Sequence, residues 1–135
     1  MKAFVKAAKA LGDPARVKIL KILEVKPMCV CEVRSVLGLA QSTVSKHLKV
    51  LEEAGLVTWE RDGAWVNYSL APEDEGDAGR FLAVTARSLD SDPEITAARQ
   101  LAARANRGQI LCSPGEPATQ QPTPAASPLN NGGGQ

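Results

Sequence analysis

Gln41-Ser42-Thr43-Val44-Ser45-Lys46-His47-Leu48-Lys49-Val50-Leu51 is the stretch that decides the fold. Val44, Leu48 and Leu51 recur at four- and three-residue spacing, which predicts a helix over 41–54 with those side chains in the core. Gln41, Ser42, Thr43, Lys46, His47 and Lys49 fall largely on the other faces, and Gly55 closes the helix. Immediately upstream, Gly38-Leu39-Ala40 reads as a turn. Before it, Pro27 is expected to start a helix of about ten residues that buries Val30, Val33 and Leu37. Two helices joined by a short turn make a helix-turn-helix.

Working outward, Leu56–Arg61 and Ala64–Leu70 read as strands, with Asp62-Gly63 between them as a hairpin turn. The hairpin adds a wing. Toward the N-terminus, Asp13-Pro14 pairs an N-cap with a proline at the first helical position. It opens a helix over 14–25 whose apolar face holds Val17, Ile19, Leu20 and Leu23. Residues 3–11 form another amphipathic helix. Residues 73–90 read as largely helical, with Phe81, Leu82, Val84 and Leu89 available for packing. A second helical segment, 94–111, is rich in Ala and Arg. The expected organisation is one domain over 1–111. Residues 112–135 form a Pro-, Gly-, Ser- and Gln-rich tail expected to be disordered.

Composition agrees with a small helical domain of 135 residues. Hydrophobic residues make up 44% and aromatic residues 4%, so the core must be built from Leu, Val, Ile and Ala. So small a core gains from a dimer interface. The net charge of +1 conceals an asymmetry: residues 1–70 carry 11 Lys+Arg against 7 Asp+Glu, and residues 71–135 carry 5 against 8. A basic N-terminal half suits a surface that meets phosphates. No apolar run approaches the ~18 residues of a membrane span. Lys6 and Lys9 interrupt the N-terminal apolar stretch, so no signal peptide is expected and the location should be cytoplasmic. Three cysteines without a secreted pattern should be free thiols or metal ligands in a reducing compartment.

The polar face of helix 41–54 has the chemistry of a nucleic-acid reader. Ser42, Thr43 and Ser45 carry small hydroxyls that fit closely against sugar-phosphate or bases. Gln41 can pair with adenine, and Lys46, His47 and Lys49 can reach guanine or phosphate. Arg61 on the wing can reach a neighbouring minor groove or phosphate. A solvated polar face is the bland alternative for an isolated helix; the turn, the hairpin and the flanking helices in order argue against it. His47 has no evident acid partner and suits a DNA contact better than catalysis.

These residues carry a resemblance. Leu11-Gly12-Asp13-Pro14-Ala15-Arg16-Val17-Lys18-Ile19-Leu20, Gln41 through Leu51, Ala54-Gly55-Leu56-Val57 and Arg61-Asp62-Gly63 together resemble the signature blocks of the ArsR/SmtB family of metal-sensing repressors over about residues 5–90. The resemblance implies a mainly α fold with a β-hairpin wing. It implies a homodimer joined through its terminal helices, which binds double-stranded operator DNA and releases it when metal binds. Two reader helices would enter successive major grooves about 34 Å apart, so the operator should be an inverted repeat.

Met28-Cys29-Val30-Cys31 lies just ahead of the reader helix, and Cys29 and Cys31 resemble the Cys-Val-Cys box of the family's arsenic, antimony, cadmium and lead sensors. Thiolates select soft ions. A helix N-terminus and nearby Lys26 are expected to lower the thiol pKa. Residues i and i+2 do not face each other on a regular helix, so an ion holding both sulfurs should bend or unwind the helix start. Two buried cysteines acting as small apolar residues are the alternative. The family's arsenic box often has a third cysteine where Arg34 stands, so the remaining candidate for a third thiolate is Cys112, from the same subunit or the partner. No cysteine precedes Cys29, and residues 71–111 contain no His, which argues against the family's cadmium/lead extension site and its zinc site.

The expected inducer is therefore As(III) or Sb(III), with no organic cofactor. A cadmium/lead-responsive or thiol-redox-responsive repressor on the same fold is the alternative, and a DNA-binding module with inert cysteines is another. An enzyme is not expected, since the thiols lack Cys-x-x-Cys spacing and the chain lacks an alternating strand–helix pattern.

Overall fold

Gly38 sets the turn between the two central helices. Its φ of 70° lies in the left-handed region that glycine enters without steric penalty, and its N–H returns to Arg34 O at 2.8 Å. The computed structural model describes residues 1–110. Around this turn, α3 (Val30–Leu37) packs on α4 (Gln41–Glu53) through Val30 and Val33 on one side and Val44, Leu48 and Leu51 on the other. Both are preceded by α1 (Lys2–Ala10) and α2 (Pro14–Leu23). Asp13 caps α2 as expected: its Oδ1 accepts from Ala15 N at 2.8 Å and Arg16 N at 3.2 Å, and Pro14 takes the first helical position.

β1 (Val57–Asp62) and β2 (Trp65–Leu70) form a two-stranded antiparallel hairpin. The ladder runs to the pair Asp62–Trp65, so the loop is Gly63-Ala64, one residue later than the expected Asp62-Gly63. Gly63, at φ 63°, takes the left-handed first position of that two-residue loop. A third backbone segment joins the hairpin. Met28 pairs with Tyr68, with N–H···O distances of 3.0 and 2.8 Å in the two directions.

That pairing corrects the expected start of α3. Pro27 does not open the helix. Residue 28 is extended and tied to β2, Cys29 is the N-cap, and the helix begins at Val30. The C-terminal helices are also shorter than expected. They are α5 (Asp77–Ala86) and α6 (Pro93–Arg104), followed by a single 3-10 turn over Arg107–Gln109. Asn106 accepts from Gly108 N at 2.8 Å, local turn chemistry that competes with continuation of the helix.

α5 packs on α1, where the rings of Phe4 and Phe81 meet at a tilt of 53° with centroids 5.1 Å apart. The pair leaves apolar surface uncovered: Phe4 is 52% exposed and Val84 63%, so Val84 does not pack inward as expected. α6 packs on α2 and α3. Lys21 of α2 is fully buried between these elements. Its Nζ donates to Thr85 O at 3.0 Å and lies 3.1 Å from Glu24 and 3.3 Å from Asp90, while Arg99 reaches both Lys21 O and Glu24. Among the described residues no helix is long and apolar enough to cross a membrane.

Candidate nucleic-acid interface and thiol site

The buried side of α4 anchors it, and the remaining faces carry the polar side chains. Ser42, Lys46 and Lys49 are exposed; Gln41, Thr43, Ser45 and His47 are half-buried. Lys49 lies 3.9 Å from Glu53 one turn on, an exposed pair that holds it only weakly. Arg61 is exposed on β1, in register with Val66. The structure thus brings the candidate contacts of α4 to one helix and leaves Arg61 on the adjoining hairpin.

His47 has a neighbour that its sequence context does not announce. Its Nδ1 lies 3.3 Å from Arg16 NH1 of α2. Arg16 also donates from Nε to Ala10 O at 2.8 Å and from NH2 to Lys9 O at 3.2 Å. One guanidinium therefore joins the end of α1, the start of α2 and the reader helix. With the guanidinium as donor, Nδ1 of His47 is the acceptor. A second link runs between reader and wing: Trp59 Nε1 of β1 donates to Glu52 Oε2 at 2.8 Å. Burial pushes the Glu52 carboxyl above its ordinary range, against the Trp59 hydrogen bond and nearby Lys49.

Cys29 caps α3 in an unusual way. Its backbone N–H donates to Glu32 Oε1 at 2.9 Å, and the Glu32 backbone N–H faces its sulfur, a capping box with a thiol in the Ser/Thr position. Cys29 is 3% exposed and a free thiol. Its pKa shifts opposite to the expectation. Burial pushes the thiol up, and Glu32 adds to the rise, outweighing the backbone N–H groups of the helix start. Lys26 does not offset this, because its Nζ donates to Ala105 O at 2.6 Å, at the end of α6.

Cys31, also buried, is disulfide-bonded. Cys112 lies outside the described residues. Among the described residues no three His, Cys, Asp or Glu side chains are grouped to hold a metal ion. Cys29 is extended, at φ −84° and ψ 169°, so the box straddles a helix boundary and is not wound into a regular turn. The geometry still joins Cys29 to both the wing and α4. Cys29 follows Met28, which is bonded to β2, and starts α3, which packs on α4.

Residues that acquire contacts only in three dimensions are Arg16, Glu32 and Glu52. Of these, only Glu32 has a local signal, as the third residue after a candidate cap.

Comparison with known proteins gives a consistent picture. Residues 13–58 match the family described as bacterial regulatory protein, arsR family. An uncharacterised HTH-type transcriptional regulator of Methanocaldococcus jannaschii is 42% identical over 77 residues, covering 54% of this chain and 86% of that protein. The arsenical resistance operon repressor of Escherichia coli is 36% identical over 75 residues, covering 55% of this chain and 64% of the repressor. Among solved structures, a homodimeric winged helix-turn-helix DNA-binding domain from Mycobacterium bovis, a possible ArsR-family transcriptional regulator, superposes with a TM-score of 0.57. It is 27% identical, and the match covers 68% of this chain and 82% of that one.

Proposed function

This chain belongs to the arsR family of bacterial transcriptional regulators, and from that premise we propose that it is a homodimeric repressor released from operator DNA by As(III) or Sb(III). The observation that carries the DNA-binding part is the face of α4. Ser42, Lys46 and Lys49 are exposed, with Gln41, Thr43, Ser45 and His47 beside them, opposite a fully buried Val44–Leu48–Leu51 seam and next to a wing bearing Arg61. The α4 side chains read the major groove, and Arg61 meets the flanking backbone. The uncovered apolar surface at Phe4, Val5 and Val84 supports a dimer formed through α1 and α5.

The metalloid part is supported by the place of Cys29 and Cys31. In the reduced protein each thiol exchanges with a hydroxide of arsenous acid; the As–O bond breaks, an As–S bond forms, and the thiol proton leaves in water. Cys29, Cys31 and Cys112 supply three such exchanges. Binding at Cys29 withdraws its sulfur from the Glu32 N–H and strains the Met28–Tyr68 pairing. The start of α3 and the base of the wing then shift together.

The test is fluorescence anisotropy of the reduced protein on DNA from upstream of its own gene, titrated with arsenite, antimonite, cadmium, lead and zinc. Arsenite-driven release that needs Cys29 and Cys31 supports the reading. Release by cadmium or lead alone would transfer the protein to another inducer, and indifference to every ion would leave a DNA-binding module with inert cysteines. The disulfide at Cys31 favours a second reading, a thiol-redox repressor. There a two-electron oxidant such as hydrogen peroxide takes two electrons and two protons from a thiol pair, and release follows oxidation with no metalloid present.

A further inference from the structure

The wing has a third component that is not part of the hairpin. Arg107, in the turn after α6, lays its guanidinium over the Trp65 ring, with its central carbon 4.7 Å from the ring centroid. Its NH2 donates to Asp62 Oδ2 at 3.1 Å and its NH1 to Asn67 Oδ1 at 3.3 Å. Three wing residues thus converge on one side chain that lies 45 positions from Asp62 in sequence. Planarity, two donating edges and a stacking face are all used, a combination that lysine lacks.

Charge gives the contact its meaning. Asp62 is the last ladder residue before the Gly63-Ala64 loop, and its side chain is 64% exposed. A bare carboxylate there would add a negative charge to the wing tip, within screening distance of the phosphates that Arg61, on the opposite face of the strand, is placed to meet. We propose that Arg107 is a positioning residue for DNA binding, which masks the Asp62 carboxylate at the wing tip and so lets the wing approach the phosphate backbone. This rests on the reading above in which the wing meets DNA. The residues after α6 then contribute to operator affinity without touching a base.

The experiment is a charge cycle in the full-length protein, read by anisotropy on DNA from upstream of its own gene, with wild type, Arg107→Gln, Asp62→Asn and the double variant. Masking orders the affinities by wing charge. Arg107→Gln should weaken binding by about 3- to 10-fold, since each protomer gains an exposed negative charge near phosphate. The double variant should return to within about twofold of wild type, and Asp62→Asn alone should bind at least as tightly as wild type. The Arg107→Gln deficit should shrink in high salt.

A merely structural clamp predicts a different order: Asp62→Asn would weaken binding as Arg107→Gln does, and the double variant would not recover. That order, or an unchanged Arg107→Gln, overturns the proposal. Arg61→Ala serves as the control for the wing itself. If it weakens binding while Arg107→Gln does not, masking alone fails. If Arg61→Ala also leaves the affinity unchanged, the wing contact fails with it.

Discussion

The backbone N–H of Cys29 donates to Glu32 Oε1 at 2.9 Å, while the Glu32 N–H faces the Cys29 sulfur, so the sulfur proposed to bind the inducer is also part of the cap of α3. A soft ion cannot take that sulfur without competing with the cap. In the proposed mechanism the link between ligand and reader begins with a hydrogen-bond exchange at a helix start, not with a large hinge.

Glu32→Ala should lower the stability of the domain by about 1 kcal/mol, the usual value of a helix cap. It should also weaken operator binding without arsenite, because the first turn of α3 is already loosened. Glu32→Gln keeps an acceptor and should lie close to wild type on both counts. Urea unfolding and anisotropy on the same preparations check this; equal losses in both variants would assign Glu32 a role other than capping.

Cys29→Ser should keep operator binding, since a hydroxyl caps at least as well as a thiol, and should abolish release by arsenite. Cys31→Ser should do the same. Release that persists in both single variants would remove the Cys-Val-Cys box from the mechanism.

Arg16→Ala removes a guanidinium that ties Lys9 O, Ala10 O and His47 together. The expected loss is about 1–3 kcal/mol in unfolding free energy, with a further fall in DNA affinity once stability is accounted for. Arg16→Lys should recover little, because one ammonium cannot span all three acceptors. Circular dichroism melts and anisotropy separate the two effects.

Asp13 predicts an acid-side signature. Slight burial raises its carboxyl, but the N–H groups of Arg16 and Ala15, with the nearby Arg16 guanidinium, hold it below the ordinary value of 3.8. A carboxyl depressed in the folded state adds stability above its unfolded pKa and loses it as pH falls through the folded one. Wild type should therefore lose stability below about pH 4 more steeply than Asp13→Asn, which keeps a cap without a titrating charge. Matching acid limbs in urea titrations would contradict the assignment.

Lys46→Ala should reduce the slope of log affinity against log salt by about 1 for each phosphate that the ammonium no longer neutralises. Ser42→Ala and Gln41→Ala should leave that slope unchanged and alter the preference among operator sequences instead. Anisotropy across a salt series on matched and mismatched duplexes reads both.

The architecture was legible wherever the signal was local. The Val44–Leu48–Leu51 spacing and the Asp13-Pro14 cap fix their elements through neighbours in the chain and the elements form there, while the Asp62-Gly63 signal marks the hairpin with its loop one residue later. Pro27 misled because its neighbour Met28 is held by Tyr68, forty residues on, and a long-range backbone pair overrides a local start signal. The Cys29 pKa misled for a related reason: a helix N-terminus is visible in sequence, whereas burial by α3's neighbours is not. The α4 candidates could be placed from periodicity alone, but the Arg16–His47 and Arg107–Asp62 contacts join residues 31 and 45 apart and have no sequence signature.

Lys21 carries a consequence for how the domain comes apart. Its ammonium, with no access to solvent, is sealed by a carbonyl of α5, the carboxylate of Glu24 just past its own helix and Asp90 of the α5–α6 connection. Should α5 and α6 peel away, that charge would lose most of its acceptors inside an apolar surround, a state far less stable than either the intact fold or full hydration. Partial opening is thereby penalised, and α2, α5 and α6 form one cooperative unit. Amide hydrogens of α2 and α6 should exchange together, at the rate of global unfolding.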